Sequence, residues 1–141
     1  MAATSVEADP QLTAFTLPGT PESVPVARCR IRAALSSHQL GEYADEAEAI
    51  TSELVTNAIQ HACADGKETV GVTLVHIRNP ETVTVIVTDP SPQAPVRREP
   101  SHGSEQGRGL LIVDELSARW GWGLADDGKA VYAILAEEAA R

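Results

Sequence analysis

Two stretches, TVGVTLVHI (69–77) and TVTVIVTD (82–89), are separated only by RNPE (78–81). Both are dense in β-branched residues and alternate between apolar and small polar side chains. That period of two fits a pleated strand with one face buried and does not fit a helix. A connection this short leaves the second strand no choice but to run back beside the first, so the pair is expected to form an antiparallel hairpin. Any architecture for the chain must be built around it.

The remaining elements follow from local signals. LTAFTLPG (12–19) reads as a first strand stopped at Pro18-Gly19. Ser23 resembles a helix N-cap with Pro25 in the first turn, and Val26, Cys29, Ala33 and Leu40 are expected to form the apolar face, with Gly41 as terminator. A second helix is expected to start near Asp45, where Asp45 and Glu48 have capping-box spacing. Ile50, Leu54, Ala58 and Ala62 then recur every fourth residue, the signature of a core-facing stripe. RGLLIVDELSA has helical periodicity in Leu110, Val113 and Leu116, and RWGWGLAD and KAVYAILA form a closing hairpin across Asp127-Gly128. Strands outnumber helices and cluster in hairpins. The expected class is therefore α+β, a two-layer α/β sandwich with a mainly antiparallel sheet and helices on one face, rather than a parallel doubly wound sheet.

A chain of 141 residues supports one domain with a sizeable core. Residues 1–11 are expected to be a loose acidic start and 12–141 a single domain. The net charge of −9, with Lys67 and Lys129 the only lysines, argues against a nucleic acid or an anionic membrane as partner. No secretory signal pattern opens the sequence, and no apolar run reaches the roughly 18 residues of a membrane span, so a cytoplasmic protein is expected. Cys29 and Cys63 lie in no CxxC or metal spacing and are expected to fill core space.

Three features carry chemistry. In ELVTNAIQHA (53–62), Glu53, Asn57 and His61 fall within about 80° of one another on the helix, beside the apolar stripe. Such a strip is either a solvated edge or, since a carboxylate and an amide oxygen one turn apart suit a hard cation, part of a Mg²⁺ shell completed by water. Asp89 ends its strand before Pro90. It either closes a turn or offers an acceptor-only side chain to an exocyclic amine of a base. Gly107 and Gly109 flank Arg108 and open a helix, an entry that lets phosphate approach backbone N–H groups. Arg97, Arg98 and Arg108 would add positive charge there. Between Asp89 and this turn, residues 90–106 hold four prolines and scattered charges, too long a structureless loop to be idle in a compact domain. No GxSxG elbow and no metal spacing among His38, His61, His76 and His102 competes with this reading.

In order, SELVTNAIQHA, VIVTD, a proline-rich segment, GRGLLIVDEL and GKAVYAIL resemble the GHKL ATPases, the superfamily of gyrase, MutL and histidine-kinase catalytic domains. More closely they resemble the stand-alone anti-sigma-factor serine kinases. The similarity spans about Phe15 to Leu135. It implies a Bergerat fold with ATP held between helices and sheet beneath a lid over about residues 90–106. Glu53 then corresponds to the general base and Asn57 to the Mg²⁺-coordinating residue. His61 stands on the phosphate side and Asp89 accepts from the adenine amino group. Gly107, Arg108, Gly109 and Leu110 form the second glycine box. Two departures stand out. Pro90 and Ser91 follow Asp89 where the first glycine box continues Asp-x-Gly, which implies an altered lid. Ala130 stands where threonine is common, which removes a hydroxyl beside the adenine pocket.

The activity implied by the resemblance is an ATP- and Mg²⁺-dependent serine/threonine kinase that phosphorylates an antagonist protein and sequesters a sigma factor, with a homodimer left open. The alternative is an ATP-gated interaction module without phosphoryl transfer. A complete two-component histidine kinase is not expected, since no phospho-acceptor histidine segment is evident.

Overall fold

The computed structural model describes residues 11–63, 67–78, 80–95 and 109–137. The chain runs β1 (Gln11–Pro18), α1 (Ser23–Ser37), a short 3-10 turn (Gly41–Tyr43), α2 (Ala44–Ala62), β2 (Thr69–Arg78), β3 (Glu81–Asp89), α3 (Gly109–Leu116), β4 (Arg119–Ala125) and β5 (Gly128–Glu137). The five strands form one sheet in the order β1-β2-β3-β5-β4, every pairing antiparallel. This is the expected α+β sandwich. The first strand begins one residue earlier than expected, at Gln11.

The alternation in β2 and β3 sorts side chains as the sequence implies. Val70, Val72 and Leu74 share the buried face with Val83, Val85 and Val87, joined by Phe15, Leu17, Val131 and Ala133 from the flanking strands. Cross-strand pairs such as Phe15 with Val72, Val72 with Val87, and Val87 with Val131 stack these residues into one apolar layer. The helices cover that layer, with α2 packed over β3 and flanked by α1 and α3. Its stripe Ile50, Leu54 and Ala58 is buried, as the four-residue spacing requires. No helix among the described residues is long and apolar enough to cross a membrane.

Helix α1 corrects the sequence reading. Val26 is 44% exposed, and Cys29 and Ala33 are also exposed; the buried face is Ala27, Ile31, Ala34 and Leu35, one residue, or about 100°, further round. Cys29 is therefore not core filler, whereas Cys63 is buried. Ser23 is not a cap. It lies in the first turn behind Glu22, and its hydroxyl donates to the Pro18 carbonyl at 2.6 Å, tying the helix to the end of β1. Nor does Gly41 terminate the helix. Gln39 takes the left-handed conformation at φ 62°, and Leu40 and Gln39 donate to the carbonyls of Leu35 and Ser36, the Schellman arrangement.

At α2 the Asp45/Glu48 capping box does not form. Tyr43 precedes the helix without a side-chain cap, and Arg32 of α1 takes both carboxylates, reaching Asp45 at 2.8 Å and also Glu48. In α3, Leu110 and Val113 are buried but Leu116 is 37% exposed. The last hairpin turns at Asp126-Asp127, with Gly128 already paired to Ala125.

Candidate functional site

Helix α2 presents Glu53, Asn57 and His61 along one edge, outside the buried row of Leu54 and Ala58. Glu53 and Asn57 are half-buried and His61 is exposed. Burial pushes the Glu53 carboxyl above its usual value, and that carboxylate has no hydrogen-bond or ion-pair partner among the described residues.

Strand β3 delivers Asp89 by parity. It is the last of the series Val83, Val85, Val87, so its side chain points to the helix layer and is buried. Strand β5 delivers Lys129 in the same way, in series with Val131 and Ala133. The two residues are direct cross-strand partners. Lys129 Nζ lies 3.0 Å from Asp89 Oδ1 and 2.9 Å from Oδ2, and the side chains are 5% and 2% exposed. The Ser91 backbone N–H donates to Asp89 Oδ1 at 2.9 Å, and Lys129 Nζ donates to the Ser91 carbonyl at 3.4 Å. Asp89 thus closes a turn after its strand, one of the two roles open to it on sequence grounds.

Gly128 makes this approach possible. A Cβ there would lie 1.9 Å from the Asp89 carbonyl oxygen and 2.8 Å from Pro90 backbone atoms, so only glycine lets the β4–β5 turn press against the end of β3. Ala130, the next residue, belongs to the opposite parity and pairs with Thr88. The polar group supplied to Asp89 comes from position 129 instead.

Asn57, His61, Lys129 and the segment Ser91, Gln93, Ala94, Pro95 enclose a cavity of about 70 Å³. Asp89 does not line it and lies beneath the ammonium of Lys129; Glu53 is also absent from its lining. A larger, shallow cavity of about 410 Å³ touches the same strand ends and the turn 125–129, but includes none of Glu53, Asn57 and His61. The smaller cavity is the candidate site, because it gathers an amide, an imidazole and an ammonium around one space. Among the described residues, no group of three or more His, Cys, Asp and Glu side chains is placed to hold a metal ion.

Of the glycine box, Gly109 begins α3 and Leu110 is 4% exposed in the core, so any contact it makes with a ligand falls to its backbone. Gly107 and Arg108, together with Arg97, Arg98 and residues 96–106 of the expected lid, lie outside the described residues. The candidate-site residue missed in the sequence is Lys129. Its signal was available, as a lysine in the core-facing parity of an otherwise apolar strand.

Comparison with known proteins bears on this arrangement. Residues 17–135 match the model of the histidine kinase-like ATPase domain, nearly the span over which the sequence motifs run. Comparison with curated proteins gives no match. With helices over one face of an antiparallel sheet and the α2 motif facing the end of β3, the chain belongs to the histidine kinase-like ATPase domain family.

Proposed function

We propose that the protein is an ATP-binding serine/threonine kinase of the anti-sigma-factor type, acting in the cytoplasm on a partner regulator and controlling transcription by partner switching. The observation that carries this reading is the cavity between Asn57 and His61 on α2 and Lys129, which is paired with Asp89, within a chain matched to the ATPase family over residues 17–135. The nucleotide base would lie toward Asp89 and the phosphates toward α2 and the turn at Gly107, Arg108 and Gly109.

Asn57 suits a Mg²⁺ ion, being a neutral oxygen donor, half-buried at the cavity wall and free to leave most of the octahedron to water and phosphate. When bound, the ion supplies charge neutralisation on the phosphate oxygens. Glu53 stands one turn earlier, and its raised pKa makes it a better proton acceptor than an ordinary surface carboxylate. It would take the proton of a partner serine or threonine hydroxyl as that oxygen bonds to the γ-phosphorus. The bond from this phosphorus to the β,γ-bridging oxygen breaks and ADP leaves. Backbone N–H groups at the start of α3 would stabilise the growing negative charge.

One observation favours a second reading. Glu53 does not line the cavity, so an ATP-gated interaction module that binds its partner without phosphoryl transfer fits the same site. Incubating the protein with labelled ATP, Mg²⁺ and a candidate antagonist separates the two. Label on the antagonist that disappears in Glu53→Ala supports the kinase. ATP binding without transfer supports the module, and absence of both overturns the nucleotide reading.

A further inference from the structure

The Asp89 carboxylate is already committed. Oδ1 accepts from Lys129 and from the Ser91 N–H, and Oδ2 accepts from Lys129 again. The ammonium directs its remaining reach to the Ser91 carbonyl. Asp89, Lys129 and Ser91 therefore form a closed unit in which the buried charges compensate one another, which is the condition for keeping them out of water. Seen from the cavity beside α2, the floor is Lys129, and Asp89 is hidden behind it.

This arrangement determines what can be recognised there. A carboxylate selects a ligand amine by accepting its hydrogen bond. Here a lysine of the chain itself holds that place, and a base amine entering past Asn57 and His61 meets its cationic side chain rather than a free acceptor. The cavity of about 70 Å³ is also far below the roughly 300–1,000 Å³ of a small-molecule site. Both obstacles share one cause, since Lys129 also holds the Ser91 carbonyl and so fixes the segment that roofs the cavity.

We propose that Lys129 is the affinity-determining residue of this site: an internal cation that occupies the Asp89 carboxylate, which a base amine must displace, and whose release frees the Ser91–Pro95 segment. The inference rests on the nucleotide reading above. It assigns the chain weak intrinsic binding of adenine nucleotides, with Lys129 and not the loop alone setting the limit.

The test is calorimetric titration of wild type, Lys129→Met and the double variant Asp89→Asn/Lys129→Met with ADP, and with inosine diphosphate, which carries a carbonyl in place of the base amine. The expected result is at least about tenfold tighter ADP binding by Lys129→Met, no such gain for inosine diphosphate, and loss of the gain in the double variant. If Lys129→Met fails to fold by circular dichroism, Lys129→Gln keeps a neutral donor to Asp89 and is expected to show a smaller gain of the same selectivity. Wild-type ADP binding that is unchanged or weakened by the Lys129 variants overturns the proposal and leaves the nucleotide reading intact. No ADP binding by any folded variant at millimolar ligand overturns both.

Discussion

The imidazoles of His38 and His76 lie 5.7 Å apart, tilted at 42°, each with its Nδ1 buried and without a hydrogen-bond partner among the described residues. His38 follows α1 and His76 lies in β2, so the contact joins the helix layer to the sheet. The Nε2 atoms face Thr13 at 3.4 Å and Glu81 at 3.5 Å. A charge on His38 would stand in this partly buried position beside the His76 ring.

Stability is therefore expected to fall in mild acid. Burial, then the neighbouring His76, then Arg78 hold the His38 pKa below its ordinary value. The unfolded chain then binds a proton at a pH where the folded protein does not, so stability rises with pH through this interval. His38 contributes no penalty above about pH 6.5, and stability is lost as pH drops below that value toward the folded-state pKa. Urea midpoints at pH 8 and 5.5 read the effect, and a His38→Gln variant with the same pH slope would exclude His38 as its source.

The corrected face of α1 has a direct consequence. Ile31 is fully buried and Cys29 is exposed. Ile31→Ala is expected to cost about 2–5 kcal/mol, and Cys29→Ser no more than about 0.5 kcal/mol. A thiol-reactive dye should titrate Cys29 in the native protein and reach Cys63 only after denaturant is added. A native protein in which Cys29 does not react until denaturant is added would restore the original face.

At the turn below the site, Gly128→Ala forces a Cβ into the Asp89 carbonyl and the Pro90 backbone. Neither obstacle is a flexible side-chain end, so the β4–β5 turn has to move. The expected loss is roughly 3 kcal/mol, seen as a drop in Tm of about 10 °C. An unchanged Tm would mean that the turn does not press on β3.

Should Glu53 act as the proton acceptor, Glu53→Gln retains ATP binding and loses phosphoryl transfer by about 100-fold or more. The wild-type rate should fall in acid as Glu53 protonates. Because burial raises its pKa, that limb is expected above the ordinary value of 4.5. An acid limb at or below 4.5, or one retained in Glu53→Gln, would assign it to another group.

Much of the architecture is set by local pattern. The β2–β3 hairpin follows from alternation across a short connection, and the buried stripe of α2 from four-residue spacing, because both depend on residues close in sequence. The polar edge of α2 and the position of Asp89 at the end of a core-facing parity follow in the same way. The α1 face was not legible locally. The row through Val26, Cys29 and Ala33 and the row through Ala27, Ile31 and Ala34 are comparably apolar and lie only one residue apart, so packing against α2 and the sheet decides between them. The partners of Arg32 were hidden for a related reason, since Asp45 and Glu48 bond across to another helix instead of capping their own.

The sequence by itself determined the strands, the helices, the two-layer class and, Lys129 apart, the residues that could carry chemistry, because backbone preference and side-chain period are short-range. Only the tertiary structure decided what Asp89 bonds to. Placing β5 between β3 and β4 sets Lys129 directly opposite Asp89, and a buried carboxylate in that position takes the nearest cation. A contact between residues so far apart in the chain is fixed by strand order and register, which no local pattern encodes.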